Sequence, residues 1–486
     1  MRFQARSFSV ITLALTVLTN CGGGDKSTGT GPSGPPIVLA VNGATLPSAT
    51  AGSTVIIEGS NFGNTQGSSQ VLFSSGVTGT VSAAIASAAD WSDGFIVTSV
   101  PAGAVSGDLV VRTSLGTSAA IAFTLAQNAP FSPSTVAWTG TSSLPVALSG
   151  HATAFAEIRG GTTTRAVYAI GGEDNTNTLQ SAVYYATVGA TGSVGAWTAT
   201  TSLPSAVAFH AAVIATPGNS KVSGLGFVYV IGGSSNNTGT QSVSTIYRGS
   251  LASDGTISGW TQAGTLPAPI HSLGAAIFLG NLYIWGGATT NNVPVAGVYR
   301  SAIDAGGSLG TWQSEAALPT ARAYFGSGSF GGYLYAFGGD AGTVAPNDAS
   351  TSSATALSDA VYAQVDVRTR NITAAGWTIS GNKLKKAVVK HTSVVAGGNV
   401  LVSGGLYSGA TTGSSEQSYA QLNSDGSVGT FNGATGSNTI ASAGGGNLFN
   451  HAAVGYTDGT GAFHVMVLGG DDVNTPGTKH KTVFFY

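Results

Sequence analysis

Short runs of alternating apolar and polar residues recur along the chain from residue 37 onward. A typical example is "GSTVIIEGSNFG" (residues 52–63), in which β-branched apolar residues are followed by a polar turn with glycine. Alternation with a period of two predicts strands with one buried face, and Gly-rich turns predict tight connections between them. We therefore expect an all-β protein built from many short strands.

The first group of strand patterns lies in residues 37–127. Its members are found at residues 52–63, 69–75, 95–101, 107–116 and 120–126. Strands at such short spacing predict a small β-sandwich. The order of "GSTVIIEGSNFG", "WSDGFIVTSVPAG" and "SGDLVVRTSLGTS" resembles that of IPT/TIG domains, which have an immunoglobulin-like fold. The resemblance implies a role in adhesion, carbohydrate contact or spacing. Trp91 could be a sugar platform, but we expect it to pack in the core.

A second pattern fills residues 134–486 and repeats. "DGTISGWTQAGTLPAPIH" (254–271) and "GSVGAWTATTSLPSAVAFH" (192–210) share a turn, a tryptophan, a Leu-Pro pair and a histidine in one order. Each copy leads into an apolar strand that ends in two glycines. The first glycine of each pair is Gly171, Gly232, Gly286, Gly338, Gly404 and Gly469. This period is close to the length of one four-stranded blade of a β-propeller.

The repeats resemble kelch-type β-propellers, and the resemblance implies a ring of six blades. We expect the tryptophan of each copy to cover the seam between neighbouring blades. The last repeat stops after a third strand, "KTVFFY", whereas an isolated tryptophan strand around Trp138 precedes the first repeat. We expect that strand to complete the sixth blade. The fold class predicted is thus an immunoglobulin-like β-sandwich (37–127) followed by a six-bladed kelch-type β-propeller (134–486).

The first 36 residues have the features of an export signal. Arg2 and Arg6 precede an apolar run, residues 7–18, which is too short to span a bilayer comfortably. "LTNC" (18–21) resembles the lipobox of bacterial lipoproteins, which implies a signal peptide over residues 1–20 and acylation of Cys21. Residues 21–36 then form a flexible tether to the membrane. The alternative is an ordinary cleaved signal with an incidental cysteine. Both predict export, and the lipoprotein reading places the protein in the bacterial cell envelope, at the outer membrane or cell surface.

Composition narrows the range of partners. Only 8% of the 486 residues are charged and the formal net charge is −2. No basic surface that would attract nucleic acid is therefore expected. Cys21 is the one cysteine, which excludes an intramolecular disulfide. The oligomeric state is left open.

Five histidines precede the predicted first strand of a blade. They are His151, His210, His271, His391 and His451. A ring of imidazoles near the axis could bind a metal. Repetition at one motif position is also what a structural role predicts, and we expect that role, with no metal site.

The loops that follow the Gly pairs are polar and share one face with the Leu-Pro loops. Their candidate ligand-binding residues are Asp174, Asn237, Asn292, Asp340, Asp471 and Asp472. Such side chains suit sugar hydroxyls or Ca²⁺, although loops are also polar because they are solvated. No cofactor is otherwise expected. The lysine-rich stretch "NKLKKAVVKH" (382–391) could meet an anion, but we expect a solvated loop.

No arrangement of a nucleophile with a base, or of an acid with a base, is evident, so no catalytic residue is predicted. We predict a surface lipoprotein that binds a glycan or an extracellular protein through the polar loop face, without catalysis. Two alternatives stay open. One is a carbohydrate-active hydrolase or lyase that uses histidines or carboxylates at the channel mouth, which a buried histidine cluster with Asp471 or Asp174 would favour. The other is a structural protein of the cell envelope.

Overall fold

A computed structural model shows that the described part of the chain is all-β, as predicted, with a single 3₁₀ turn at Ala88–Asp90. It describes residues 32–41, 47–49, 51–76, 78–125, 137–160, 162–217, 219–347, 355–396, 398–408, 417–423, 425–434, 447–458, 462–472, 474–475 and 477–486. Within these ranges no helix is long and apolar enough to cross a membrane. The predicted signal peptide, Cys21 and the boundary between residues 127 and 134 lie outside the described residues.

The first nine strands form two sheets that enclose one core. They are β1 (Ile37–Val41), β2 (Ser48–Ala49), β3 (Thr54–Ser60), β4 (Gln70–Ser75), β5 (Gly79–Ser82), β6 (Phe95–Ser99), β7 (Gly107–Thr113), β8 (Gly116–Thr117) and β9 (Ile121–Leu125). One sheet has the order β1-β3-β6 and the other β2-β9-β7-β4-β5, with β8 paired to β7. We call these two sheets the N-terminal unit.

Apolar side chains from both sheets meet inside the N-terminal unit. Val55 and Ile57 of β3 share one core with Phe73 of β4 and Phe123 of β9, whose rings lie edge to face at 5.0 Å. Trp91 is 3% exposed in this core, and its indole N–H donates to the carbonyl oxygen of Phe62 at 3.1 Å. The expected packing role of Trp91 is confirmed, and a surface sugar platform at this residue is excluded.

Apart from two short ladders, the remaining strands in the described ranges form six four-stranded antiparallel sheets, numbered here 1 to 6. Sheet 6 includes β10 (Thr139–Gly140). Sheet 1 comprises β11 (Ala152–Gly160), β12 (Thr162–Ile170), β13 (Val183–Thr187) and β14 (Thr198–Thr200). Sheet 2 comprises β15 (Ala211–Ala215), β16 (Phe227–Ile231), β17 (Thr245–Leu251) and β18 (Ile257–Thr265). Sheet 3 comprises β19 (Gly274–Phe278), β20 (Asn281–Trp285), β21 (Val298–Ala302) and β22 (Gln313–Ser314).

Sheets 4 to 6 follow in the same way, with two short ladders beside them. Sheet 4 comprises β23 (Gly326–Phe330), β24 (Tyr333–Phe337), β25 (Ala360–Val365) and β26 (Ile372–Ile379). The next strands are β27 (Val388–Val389), β28 (Thr392–Ala396), β29 (Asn399–Ser403), β30 (Leu406–Tyr407), β31 (Gln417–Gln421), β32 (Asn432–Ala434), β33 (Leu448–Phe449), β34 (Ala452–Thr457), β35 (Phe463–Leu468), β36 (Asp471–Asp472) and β37 (Val483–Phe485). Sheet 5 is β28-β29-β31-β32, sheet 6 is β34-β35-β37-β10, and β27-β30 and β33-β36 are the ladders.

Strand β10 closes sheet 6 from the other end of the region. Thr139 pairs with Phe485 and Gly140 with Phe484. Sheet 6 therefore joins strands that lie more than 300 residues apart in the sequence. The expected completion of the last sheet by the strand after Trp138 is confirmed.

One residue per sheet, two positions before its first strand, joins a closed cycle of backbone hydrogen bonds. We call this set the axial ring. Its members are Gly150, Phe209, Ser272, Tyr324, Lys390 and Asn450, all with φ between 51° and 58°. The N–H of each donates to the carbonyl oxygen of the equivalent residue in the preceding sheet, at 2.7 to 3.4 Å, and the N–H of Gly150 donates to Asn450. The first strands also contact one another in this cyclic order, so the six sheets close into a ring.

Tryptophans join neighbouring sheets on the outside. Trp260 of sheet 2 donates its indole N–H to the carbonyl of Thr201, at 2.8 Å, and Trp312 of sheet 3 donates to Thr265, at 2.7 Å. Both acceptors lie just before the Leu-Pro pair of the preceding repeat. The predicted position of the tryptophans at the seams is confirmed, because such a bond spans two sheets.

The N-terminal unit contacts one end of the ring. We call it the hairpin end, because it carries the turns between the first and second and between the third and fourth strands. Glu58 accepts from Lys221 at 2.7 Å and from Arg370 at 2.5 Å, and Asp90 accepts from Arg368 at 2.7 Å. The opposite end carries the connections after the Gly pairs and the Leu-Pro loops. We call it the loop end, and among the described residues the contacts of the N-terminal unit given above lie at the other end.

Candidate functional site

An axial cavity of about 490 Å³ runs between the first strands of the six sheets. Its wall carries many small side chains, such as Ala212, Ala453 and Gly328. Toward the loop end the wall becomes more polar, where a cavity of about 260 Å³ is lined by four imidazoles and by the hydroxyls of Thr153, Ser327 and Ser393. The axial ring lies beyond these imidazoles.

Four of the five predicted histidines occupy one equivalent position, directly after an axial-ring residue. They are His151, His210, His391 and His451. Each is at most 7% exposed, and burial lowers the pKa of His151 and His391 to about 3 and that of His210 and His451 to about 4. Because burial takes these pKa values well below the ordinary value near 6.5, the imidazoles are neutral at pH 7.

The other two sheets show what this position requires. Leu273 and Phe325 stand where sheets 3 and 4 would have the histidine, and they line the same cavity. Each imidazole lies against the first glycine of the preceding sheet's pair: a methyl group on Gly404 would come within 2.6 Å of Cε1 of His451. The Nε2 atom of His391 accepts from the N–H of Gly326 at 3.0 Å. The position is thus filled by a flat or apolar side chain wedged between two sheets.

His271 does not belong to this set. It lies two residues earlier in its repeat, where it bridges Ala288, and the expected equivalence of all five histidines is wrong. Its Nδ1 and Nε2 atoms are 3.0 Å from Ser272 Oγ and Asn292 Oδ1, and Asn292 Nδ2 donates to the carbonyl of Thr238 at 3.0 Å. The loops of sheets 2 and 3 are joined through this pair, beside the half-buried Asn237.

A buried ionic cluster links sheets 1 and 6 at the loop end. We call Ser149, Glu173, Asp471 and Lys479 the seam cluster. Lys479 Nζ lies 3.5 Å from Glu173 Oε1 and 3.7 Å from Asp471 Oδ1, and Ser149 Oγ donates to Glu173 Oε1 at 3.3 Å. None of the four is more than 4% exposed. Two carboxylates and one ammonium thus share one buried site across the seam between the last sheet and the first.

Burial raises the pKa of both carboxyl groups in the seam cluster. The ammonium of Lys479 opposes this rise at Glu173, and it does the same, with a hydrogen bond from Ser149, at Asp471. Asn347 also donates to Glu173 Oε2 at 3.1 Å. Neither carboxylate is therefore a free group at the surface.

The other predicted carboxylates organise their own loops. Asp340 is fully buried and accepts from Gly342 N at 2.7 Å and Thr355 Oγ1 at 2.6 Å. Asp174 accepts from the backbone N–H of Thr176 at 2.8 Å. Asp472 accepts from the N–H of Asn474 at 2.8 Å and lies 3.3 Å from His480 Nε2. Each closes a local turn, which fixes the shape of the loop that carries it.

Glu173 is a site residue that the sequence analysis missed. It follows Gly171-Gly172 directly, just as Asp340 and Asp471 follow the Gly pairs of their repeats. The three acids pair with Ser149, Ala323 and Phe449 in equivalent bridges. Aligning the residue after each Gly pair would have revealed Glu173. Lys479 had no such signal, because it lies at the end of a loop of variable length.

A four-residue stretch of the loop after β24 crosses the mouth of the ring. We call Val344–Asn347 the crossing segment. Tyr324 Oη donates to the carbonyl of Val344 at 2.8 Å, Lys390 Nζ to that of Ala345 at 2.8 Å, and Asn450 Nδ2 to that of Pro346 at 3.0 Å. The three donors belong to the axial ring.

The crossing segment changes the interpretation of the lysine-rich stretch 382–391. Lys390 is 3% exposed, and its ammonium lies 5.4 Å from the centre of the Tyr324 ring. The expectation of a solvated loop is therefore wrong for this residue. Lys383, Lys385 and Lys386, by contrast, are exposed as expected.

The loop end offers preorganised donors and acceptors. Among the described residues, no three of the His, Cys, Asp and Glu side chains lie close enough together to hold a metal ion. A comparison with protein-family models and with curated proteins finds no match.

Proposed function

We propose that the protein is an exported surface lipoprotein that binds a glycan or an extracellular protein through its loop end, without catalysis. In this proposal the N-terminal unit is an IPT/TIG-like β-sandwich, which the single core shared by two sheets supports. The ring of six sheets is a kelch-type β-propeller, which the axial ring and the seam tryptophans support.

The observation that carries the proposal is the internal bonding of the loop-end side chains. The His271–Asn292 pair fixes two loops to each other, and Asp174 and Asp472 fix their own turns. A polar surface whose groups are already ordered loses little entropy when it binds a partner. Carboxylates that are held in turns and ion pairs are poorly placed as catalytic acids or nucleophiles, which need access to the substrate.

The test is binding of purified residues 22–486 to a panel of polysaccharides and extracellular proteins, with and without Ca²⁺. Saturable binding that leaves the ligand intact supports the proposal. A matched pair of variants locates the site: Asn236→Ala changes the loop end, whereas Asp254→Ala changes an exposed turn at the hairpin end. Equal loss of binding in both variants would argue against a loop-end site.

One observation favours a carbohydrate-active enzyme as a second candidate. Glu173 and Asp471 both contact Lys479, and burial raises the pKa of each. Glycoside hydrolysis uses two carboxyl groups, and the one that acts as general acid has a raised pKa. Release of reducing ends from a bound polysaccharide, abolished by Glu173→Gln, would establish the enzyme. Intact polysaccharide after prolonged incubation would exclude it for that substrate.

The membrane anchor is a separate part of the proposal. It rests on the resemblance of "LTNC" (18–21) to a lipobox. In a bacterial host, Cys21→Ser should move the protein from the membrane fraction to the soluble fraction, because the acyl chains would be lost. If Cys21→Ser stayed in the membrane fraction, the proposed lipid anchor would be refuted, whereas the proposed binding function would not be affected.

A further inference from the structure

The crossing segment lies on side chains that belong to other parts of the ring. Its carbonyl groups accept from Tyr324 of sheet 4 and from residues that precede sheets 5 and 6, while Asn347 reaches Glu173 of sheet 1. On the remaining side, a methyl group on Gly239 of sheet 2 would lie 2.9 Å from Cδ of Pro346. Five sheets therefore contribute to one small site.

The hydrogen bonds in this site are made mostly to the backbone of the crossing segment and not to its side chains. Three successive carbonyl oxygens each meet a separate donor: a phenol, an ammonium and a carboxamide. Ala345 precedes a proline, a position that disfavours helical backbone, and Pro346 and Asn347 then form a turn. Separate donors for the successive carbonyls of a short, proline-containing segment are what a peptide-binding site requires.

We propose that the mouth of the loop end is a binding site for a short, proline-containing peptide of another protein, and that the crossing segment occupies it until such a peptide arrives. The inference rests on the proposed binding function and narrows its ligand from the two classes to a protein. Tyr324, Lys390 and Asn450 donate hydrogen bonds to the carbonyl groups of the peptide, and Gly239 leaves room for its proline ring.

A tethered occupant competes strongly with a free peptide. Segments joined by short linkers have effective concentrations in the millimolar range. A free peptide with micromolar intrinsic affinity therefore binds the wild-type protein only weakly. Loosening the crossing segment should reveal the site.

The experiment uses residues 22–486 with Val344, Ala345, Pro346 and Asn347 all replaced by glycine. The probe is a fluorescent peptide with the sequence of residues 342–347, Gly-Thr-Val-Ala-Pro-Asn, and the readout is fluorescence anisotropy. Saturable binding to the glycine variant, at least about tenfold tighter than to the wild-type chain, is expected. In the glycine variant, Lys390→Met should abolish binding, whereas Lys386→Met, at an exposed lysine of the same stretch, should not.

Three results would overturn the inference: no binding by a folded glycine variant, equal binding by the wild-type chain, or binding that survives Lys390→Met together with Asn450→Ala. If the glycine variant does not fold, Asn347→Ala provides a milder loosening, because it removes only the bond to Glu173. A polysaccharide that binds the loop end while the peptide fails would refute this inference and leave the proposed function standing. Failure of every ligand on the panel while the peptide binds would refute a glycan ligand alone.

Discussion

The N–H of Phe209 donates to the carbonyl oxygen of Gly150 at 2.7 Å, and this bond is one link of a closed cycle of six. Both residues have a positive φ, although only one of them is glycine. A methyl group on Gly150 would lie 2.5 Å from Cε1 of Phe209. The small residue of one sheet thus leaves space for the aromatic ring of the next, and the cycle fixes where the loop-end side chains stand.

The equivalence of His391 with Phe325 predicts that His391→Phe is tolerated. Phenylalanine already fills this wedge position in sheet 4, so we expect the free energy of unfolding to fall by only about 1 kcal/mol, the cost of leaving the Gly326 N–H without its acceptor. His391→Ala leaves a void in the same place and should cost about 2 to 4 kcal/mol. Urea unfolding of the two variants measures the difference. Equal destabilisation by both would mean that the imidazole nitrogens, rather than the ring shape, are needed.

The buried imidazoles predict a loss of stability in acid. The pKa values of His151, His210, His391 and His451 in the folded protein, about 3 to 4, lie below the unfolded value near 6.5. Below pH 6.5 the unfolded chain therefore binds protons that the folded chain does not. Their contribution to stability is present above pH 6.5 and falls as the pH drops toward 4, by about 1.4 kcal/mol per pH unit for each histidine.

Melting temperatures at pH 7.5, 6.0 and 5.0 would measure this effect. His391→Phe, which removes one of these groups, should lose less stability between pH 7.5 and 5.0 than the wild-type protein. Parallel curves for the two proteins would show that His391 is not buried as a neutral group.

The seam cluster predicts a strong effect of Lys479→Met. Without its ammonium the cluster loses its own cation, and only Lys390, outside the cluster, still acts on Asp471. Breaking a buried ion pair on one side costs about 3 to 5 kcal/mol. The folded pKa of both carboxyl groups would rise further above the unfolded value. The loss should therefore be larger at pH 7.5 than at pH 5.0, because folding then requires protonation of groups that the unfolded chain leaves ionised.

Unfolding of Lys479→Met at the two pH values tests this prediction, with Lys386→Met as the exposed control. A loss that does not depend on pH would mean that the two carboxylates find other partners.

The ion pairs of Glu58 predict that the N-terminal unit can be released and rejoined by charge changes. Glu58→Arg would face Arg370 and Lys221, and like charges repel where Glu58 now accepts at 2.5 and 2.7 Å. Small-angle scattering should show a larger radius of gyration for this variant. Arg370→Glu in the same chain should restore a compact particle in part, because one of the two pairs is rebuilt. An unchanged radius of gyration for Glu58→Arg would mean that other contacts hold the N-terminal unit against the ring.

Much of the fold could be predicted from local sequence signals. Tight turns, Gly pairs and tryptophans are fixed by backbone geometry and seam packing, so they recur at visible spacing, and the pairing of β10 with β37 followed from the order of strand types. The residues of the candidate site were harder to predict from the sequence. His271 shares the motif of the other histidines, but a shift of two residues places it in a loop contact. The crossing segment and Lys479 depend on contacts between distant loops, which no local pattern records.

The most direct test of the central claim, that the loop end binds and the hairpin end does not, compares two sets of variants against one ligand from the panel. One set changes the loop end, with Asn236→Ala and Thr240→Ala, whose side chains bond each other at the surface. The other changes hairpin-end turns, with Asp254→Ala and Asp425→Ala. We predict at least a tenfold loss of affinity for the first set and none for the second. Loss of affinity in the hairpin-end set alone would contradict the account.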